Sequence, residues 1–245
     1  MMRSAIGILF MMMLVLIPAI VMPADEEGGI VLSAFATASP APNEDWKDAH
    51  HAIWLKATAY PILLNRTPPL FSDGPFDDGE RPNCTVRLLR LAPGDVAVQV
   101  HWTDAAENLF AAGKRYPDGG SEHIYKSHTE ETDQFSDALC IMVPKQRGPH
   151  AQYPSIMMGD IAQNVDLYFW QAGRGFSLLS AHGRASTAAT TETIEGTATR
   201  DEEGWTVVLH LSGMTMQTPV CFAVWDGVKG HRDGLKYFSL WYEIQ

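Results

Sequence analysis

The sequence predicts an all-β fold, either a β-sandwich or a β-barrel, and three observations support that prediction. Several stretches alternate apolar and polar residues with the two-residue period of a half-buried strand. Clusters of Gly, Pro, Asn and Asp, such as 72–82 and 116–121, separate these stretches. After residue 60 there is no long amphipathic stretch with helix-capping signals. We therefore expect many short strands connected by turns, with few helices.

The predicted strands follow one another along most of the chain. Residues 45–59 are predicted to begin as a helix and to become a strand from Ile53. The clearest alternating strands cover 96–102, 165–170 and 205–211, and Pro93-Gly94-Asp95 supplies the turn before the first of them. Shorter strands are predicted at 85–91, 138–143, 221–225 and 237–244. No internal repeat is present, so we expect one domain that covers residues 44–245.

The composition is that of a globular, acidic protein. Hydrophobic residues make up 46% of the 245 residues, which is enough for one sizeable core. The chain has 18 basic and 29 acidic side chains, for a net charge of -11. A chain this acidic is repelled by phosphate backbones and by anionic lipid headgroups. Nucleic-acid binding is therefore excluded, lipid binding is disfavoured, and a basic protein partner is electrostatically favoured.

The first 24 residues predict an export signal. Arg3 is followed by an uncharged, mainly apolar run over 4–24, the pattern of a signal peptide. The run is also long enough to span a bilayer, so a retained N-terminal anchor is the alternative. Cleavage is expected after Ala24 or after Ala38. We expect the remaining chain in the periplasm or otherwise outside the cytoplasm, with 25–43 as a linker that has no fixed structure.

The cysteines and the catalytic motifs exclude several classes of protein. The odd number of cysteines, Cys84, Cys140 and Cys221, leaves at least one thiol unpaired. Cys140 and Cys221 lie in apolar runs and are predicted to be buried. There is no CxxC, which excludes a zinc ribbon and a covalently attached c-type haem. There is also no nucleophile elbow, P-loop, dinucleotide fingerprint or HExxH motif.

Two other features contain side chains that are able to bind a metal. The stretches 220–227 and 237–244 predict a hairpin. Alternate residues of its second strand form an apolar face, which consists of Phe238, Leu240, Tyr242 and Ile244. Lys236 precedes Phe238 by two residues and is therefore predicted to lie on the same face. Such a lysine ordinarily reaches solvent or blunts a sheet edge, and the alternative is a neutral amine that binds a metal. The doublet Met157-Met158 ordinarily fills a core, but a thioether is also a soft ligand that raises the potential of a haem iron.

Short motifs in a fixed order carry a family resemblance from about Trp46 to the end. They are His101-Trp102-Thr103-Asp104, Phe135-Ser136-Asp137-Ala138, Met158-Gly159, an aromatic strand ending at Trp170, Gly204-Trp205-Thr206-Val207-Val208, Phe222-Ala223-Val224-Trp225-Asp226-Gly227 and Gly234-x-Lys236. With these motifs the chain resembles the haem b-binding gamma subunits of the type II dimethyl sulfoxide reductase family. Relatives there include the gamma subunits of ethylbenzene dehydrogenase, dimethyl sulfide dehydrogenase, selenate reductase, chlorate reductase and nitrite oxidoreductase.

The resemblance implies a fold and a ligand pair. It implies an immunoglobulin-like antiparallel β-sandwich with one non-covalent haem b held in loops at one edge. Lys236 and Met158 match the lysine and methionine that hold the haem iron in the family, and Met157 is a rival because the doublet permits a one-residue slip. With both axial positions filled the iron has no open site, which favours electron transfer over catalysis. The insert around 114–132 and the three cysteines depart from the family pattern.

The resemblance also implies partners. These are an alpha subunit that contains a molybdenum cofactor and a beta subunit that contains iron–sulfur clusters. We expect this chain to be non-catalytic and to relay electrons between the beta subunit and a periplasmic cytochrome c. Arg232 and Lys229 are candidates to pair with a haem propionate. The alternative is an extracellular carbohydrate-binding β-sandwich without haem, in which Tyr168 and Trp170 would stack on a sugar.

Overall fold

A computed structural model describes residues 30–33, 35–36, 44–67, 80–110, 135–147, 153–231 and 234–245. Most of the regular structure in these residues is β-strand, with two short 3₁₀ helices at Glu44–Lys47 and Ala52–Lys56. The all-β prediction is therefore confirmed. The predicted export signal, residues 1–24, lies outside the described residues. In the described part of the chain no helix is long and apolar enough to cross a membrane.

The strands form two sheets. The larger sheet has the order β1 (Ile30–Leu32), β15 (Tyr242–Ile244), β13 (Thr218–Trp225), β7 (Ala138–Pro144), β8 (Val165–Gln171), β9 (Gly175–Ala181) and β10 (Ala188–Ala189). In the same sheet β14 (Tyr237–Phe238) pairs with β13 and with β4 (Asn65–Arg66). The smaller sheet has the order β11 (Gly196–Arg200), β12 (Gly204–Leu211), β6 (Asp95–Thr103), β5 (Cys84–Ala92) and β2 (Phe35–Ala36), with β3 (Tyr60–Ile62) also paired to β5. The pairs β1–β15 and β2–β5 are parallel, and the other described pairs are antiparallel.

The two sheets pack face to face around one core. Alternate residues of each strand point inward, as the two-residue period requires. The larger sheet contributes Leu139, Ile141, Val143, Val220, Phe222 and Val224, and the smaller sheet contributes Val96, Val98, Val100, Val207 and Leu209. Three tryptophans cross this core, because the ring of Trp170 lies 6.0 Å from that of Trp102 and 4.8 Å from that of Trp205. The arrangement is that of a β-sandwich.

The strand predicted from Ile53 is wrong, because Ala52–Lys56 is a 3₁₀ helix. His51 caps this helix, since its Nδ1 accepts a hydrogen bond from the Ile53 amide. Trp54 is buried, and its indole Nε1 donates to the carbonyl of Trp46. These tryptophans cover the outer face of the smaller sheet, where they join a cluster that includes Leu89, Ala97 and Val208. Burial of Trp54 against the sheet outweighs the local preference for a strand.

The C-terminal hairpin forms, but its second strand is interrupted. Ala223 pairs with Phe238 and Val220 pairs with Tyr242, so the C-terminal side has one extra residue between these pairs. The amide of Ser239 donates to the carbonyl of Phe222, which holds the interruption in place. The predicted common face of Phe238, Leu240, Tyr242 and Ile244 is therefore wrong. Phe238 packs on the outside of the larger sheet, Leu240 is exposed, and Tyr242 and Ile244 lie in the core.

Two short strands lie within residues 25–43, where the sequence predicts a linker without fixed structure. β1 pairs with β15, and β2 pairs with β5. Leu32 is fully buried in the core, and its carbonyl accepts a hydrogen bond from the amide of Gln245. This part of the segment is therefore strand and belongs to the sandwich.

Candidate functional site

The outer side of the larger sheet has an apolar surface, which we call the outer apolar face. Its buried members are Cys140, Met142, Val165, Leu167, Ala181, Cys221 and Ala223. Ile156, Met158, Phe169, Leu179, Trp225, Phe238 and Trp241 pack against them and are partly buried. Every residue of β7 is buried, so this central strand is covered on both sides. An apolar surface on the non-core side of a sheet marks a place where another group can bind.

Met158 reaches this face from a tight turn that precedes β8. Met158 has a φ of 69° and Gly159 a φ of 74°, which places two successive residues in the left-handed region. The Gly159 amide donates to the carbonyl of Ser155, and the carbonyl of Met158 accepts from the Gly183 amide. A left-handed conformation at a non-glycine residue is uncommon and is often found at functional sites. The turn therefore fixes the direction of the Met158 side chain.

The two methionines of the doublet have different surroundings. Met158 packs against the outer apolar face, and its Sδ lies 3.8 Å from the hydroxyl of Thr187. Met157 is 43% exposed and is not part of that cluster. Met158 therefore lies at the outer apolar face, whereas Met157 is exposed, and the choice between them as a haem ligand stays a prediction.

Lys236 reaches the same face from the other end of the chain. Its backbone is held by Thr67, whose amide donates to the carbonyl of Lys236 and whose hydroxyl accepts from the Lys236 amide. Its Nζ lies 5.0 Å from the ring centroid of Trp225, a member of the outer apolar face. Trp225 is in turn packed edge-on against Phe169, with 5.8 Å between their ring centroids. The structure thus brings Met158 and Lys236 to one apolar surface.

The thiols beneath this surface are buried and uncharged. All three cysteines are free and buried, as predicted for Cys140 and Cys221. Burial raises the pKa of Cys140 to about 12, and the nearby positive charge of Lys236 lowers it by a smaller amount. Burial also raises the pKa of Cys221 well above the ordinary range. The protonated thiols contribute an apolar floor, and the positive charge of Lys236 lowers the pKa of both by a smaller amount than burial raises it.

Three aspartates meet at one end of the sandwich, and sequence reasoning gave them no role. Asp104 follows β6, Asp137 precedes β7 and Asp226 follows β13. One carboxylate oxygen from each of these residues lies within 4.8 Å of the other two. Asp137 accepts hydrogen bonds from the amides of Asn108 and Gly227 and from the indole of Trp205. The available signal was that three of the family motifs each place an aspartate beside a strand end.

Two other predicted roles have different outcomes. The Lys229 amine lies 3.5 Å from Asp226 and also donates to the hydroxyl of Tyr237 and the carbonyl of Glu80. Its pairing with a propionate stays a prediction, and Arg232 lies outside the described residues. Tyr168 and Trp170 are 2% and 4% exposed in the sandwich core. The proposed stacking of these two rings on a sugar is therefore wrong.

Comparison with known proteins identifies the family. No family model matches the chain. Over 181 residues the chain is 30% identical to the gamma subunit of chlorate reductase from Ideonella dechloratans, which covers 67% of this chain and 74% of that relative. The chain belongs to the gamma-subunit family of the type II dimethyl sulfoxide reductases.

A second member of the comparison supports this family assignment. Over 123 residues the chain is 29% identical to a protein from Haloferax mediterranei, which is named as a respiratory nitrate reductase haem subunit. That match covers 45% of this chain and 44% of the relative. As a gamma-subunit family member, the chain combines a β-sandwich with an apolar outer face that carries the partly buried thioether of Met158 and the amine of Lys236.

Proposed function

We propose that the chain is the electron-transfer subunit of a molybdenum oxidoreductase complex and that it holds one b-type haem on the outer apolar face. The single observation that carries this proposal is that Met158 packs on that face and that the Lys236 amine lies over Trp225, another of its members. Family membership supports it, because one relative is named as a chlorate reductase gamma subunit and another as a nitrate reductase haem subunit. When bound, the haem would supply one-electron redox chemistry.

The residues of the outer apolar face fit such a group. A haem b is a large apolar ring, and the face offers the aromatic side chains of Phe169, Trp225 and Phe238. The thioether of Met158 is a soft ligand, and Thr187 lies within hydrogen-bonding distance of its sulfur. The amine of Lys236 would bind as the neutral base, so coordination would replace one of its protons. An apolar setting favours loss of that proton, because burial disfavours the ammonium form.

The charge of the chain supports the proposed electron partners. We expect the chain to exchange electrons with the iron–sulfur beta subunit of the complex, which also contains the molybdenum alpha subunit. A soluble cytochrome c would be the second electron partner. The net charge of -11 favours association with a basic cytochrome, since complementary charges increase the rate of encounter.

We also propose that the chain is exported to the periplasm. Its acidic body is preceded by one arginine and an apolar run, the pattern of an export signal. Of the two cleavage positions, Ala24 agrees better with the fold than Ala38. Cleavage after Ala38 would remove Leu32, which is fully buried in the core.

The proposal is tested by visible spectroscopy of the full chain supplied with haem. We expect a reduced-minus-oxidised spectrum of a low-spin b-type haem, with a pyridine haemochrome that confirms the haem type. Lys236→Ala and Met158→Ala should each lose the low-spin features. Lys56→Ala and Met157→Ala are matched controls at exposed positions and should keep them. A folded wild-type chain that binds no haem would overturn the proposal.

A further inference from the structure

The three aspartates at the end of the sandwich come from both sheets. Asp104 leaves the smaller sheet, whereas Asp137 and Asp226 flank adjacent strands of the larger sheet. Asp104 is 5% exposed and Asp137 is fully buried. Charges of one sign this close together repel each other, and burial removes the water that would screen them. The arrangement therefore needs compensation from donors or from a positive charge.

Hydrogen bonds provide that compensation for Asp137 but leave a gap at Asp104. Asp137 accepts three hydrogen bonds, at 2.8, 2.9 and 3.0 Å. Oδ1 of Asp104 accepts one bond, from the amide of Ala106 at 3.1 Å. Oδ2 of Asp104 is buried and has no hydrogen-bond partner among the described residues. A buried carboxylate oxygen without a donor is costly, so it points to a positively charged species that would lie against it.

The neighbouring side chains do not remove the excess negative charge. The Lys229 amine lies 3.5 Å from a carboxylate oxygen of Asp226. Arg200 is also near the cluster, but its Nη2 donates to the backbone carbonyl of Asp104. Neither cation donates to Oδ2 of Asp104, which is buried without a hydrogen-bond partner among the described residues.

We propose that Asp104, Asp137 and Asp226 form a calcium-binding site that joins the two sheets. The donor set consists of carboxylate oxygens, which hard cations prefer. The three oxygens of the cluster lie within 4.8 Å of one another, so small side-chain rotations would bring all three to about 2.4 Å from one calcium ion. Magnesium needs shorter bonds and a stricter octahedron and keeps its water molecules, so calcium is the expected ion for a site built from protein carboxylates.

A cation at this position would also hold the segment that leads to Lys236. Asp226 begins that segment, and its backbone is tied to His231 by hydrogen bonds in both directions. The three aspartates are not among the proposed haem ligands. Calcium binding can therefore be measured in the chain without haem, and its outcome is independent of the outcome of the haem experiment.

The test is thermal unfolding of the full chain after removal of bound metal with a chelator, together with calorimetric titration of calcium. At constant ionic strength, calcium at a hundred times its dissociation constant should raise the unfolding midpoint by about 5 °C or more, and magnesium should raise it less. Asp104→Asn and Asp226→Asn should abolish the calcium effect. Glu202→Gln, which changes an exposed acid, should keep it.

Two results would show that the three aspartates do not bind calcium. A folded wild-type chain that neither binds millimolar calcium by calorimetry nor shifts its midpoint overturns the proposal. So does a calcium-dependent shift that is equally large in Asp104→Asn and Asp226→Asn. Two variants are used because one of them alone could fail to fold. If both fail to fold, calorimetry on the wild type still decides.

Discussion

The amine of Lys236 lies 5.0 Å from the ring centroid of Trp225. Trp225 ends β13, whereas Lys236 immediately precedes β14, so the hairpin brings them together. A cation over the face of an indole is attracted by the ring electrons. In the haem-free chain Trp225 therefore holds the Lys236 ammonium at the outer apolar face. This contact places the amine where, after loss of one proton, it would bind the haem iron, so Trp225 is a positioning residue for the proposed ligand.

Replacing Trp225 should disturb the proposed Lys236 ligation. In Trp225→Leu we expect a smaller low-spin fraction in the visible spectrum of the haem-loaded chain and a shifted reduction potential, because the amine loses its support. Trp225→Phe retains an aromatic ring and should restore most of the wild-type spectrum. Equal spectra and potentials in wild type and Trp225→Leu would show that the indole does not position the amine.

Gly159→Ala should destabilise the turn that carries Met158. Gly159 has a φ of 74°, and an added Cβ would lie 2.4 Å from the carbonyl oxygen of Gln163. We expect a loss of about 2–3 kcal/mol in the free energy of unfolding, measured with urea. Gly230→Ala is the matched control, because Gly230 has a φ of 68° but open space around it. Its cost should be about 1 kcal/mol, and equal costs for the two variants would contradict the steric argument.

Asp137→Ala should destabilise the sandwich as a whole. The substitution leaves two backbone amides and the Trp205 indole without their acceptor. Buried donors that lose a charged acceptor cost about 3 kcal/mol or more. Asp201→Ala removes two amide hydrogen bonds from an exposed hairpin and should cost about 1 kcal/mol. Chemical denaturation of both variants measures this difference, which should disappear if Asp137 has no structural role.

The three thiols should not react with alkylating reagents in the folded chain. Burial raises the pKa of Cys84 and Cys140 from 9.0 to about 12. As the pH rises, these thiols ionise first in the unfolded chain, which stabilises the unfolded state. Their contribution to the free energy of unfolding is therefore fully present below pH 9 and is lost as the pH rises from 9 to 12. At pH 8 we expect no alkylation of the native chain and rapid alkylation of all three cysteines in denaturant. Alkylation of Cys140 in the native chain would show that the outer apolar face opens.

The mature N-terminus should lie before Ile30. β1 pairs with β15, and Leu32 is fully buried, so the sandwich requires this strand. Mass spectrometry of the exported chain is expected to show cleavage after Ala24. Recovery of a folded chain that begins at Ser39 would contradict this expectation, because it would lack β1 and β2.

Strand positions were largely predictable because apolar and polar residues alternate along a strand as its side chains alternate between the core and the other side of the sheet. The stretch 96–102 alternates in sequence and lies within β6, whose odd and even residues face opposite sides of the smaller sheet. The face of Lys236 was not predictable in this way. One extra residue near Ser239 reverses the alternation, and it is held by a hydrogen bond to Phe222 on the neighbouring strand. No local pattern records such a contact.

The candidate site was predictable only in part. Family motifs named Met158 and Lys236, and the structure adds that both lie on the outside of the larger sheet. The aspartates are visible one at a time in the sequence, but Asp104 and Asp226 follow strands of different sheets and are brought together by the packing of those sheets. Sheet packing is a long-range property, so the position of each carboxylate in the sequence does not reveal that they meet.

Strand β7, whose residues are buried throughout, has a consequence for the kinetics of electron exchange. This strand is also paired with β13 on one side and with β8 on the other, so its amide protons should exchange with water only through extensive opening of the domain. The floor of the outer apolar face is then as stiff as the interior of the sandwich. A redox group placed on such a floor would gain or lose an electron with little rearrangement of its surroundings. A low reorganisation energy would therefore follow directly from the double burial of one strand.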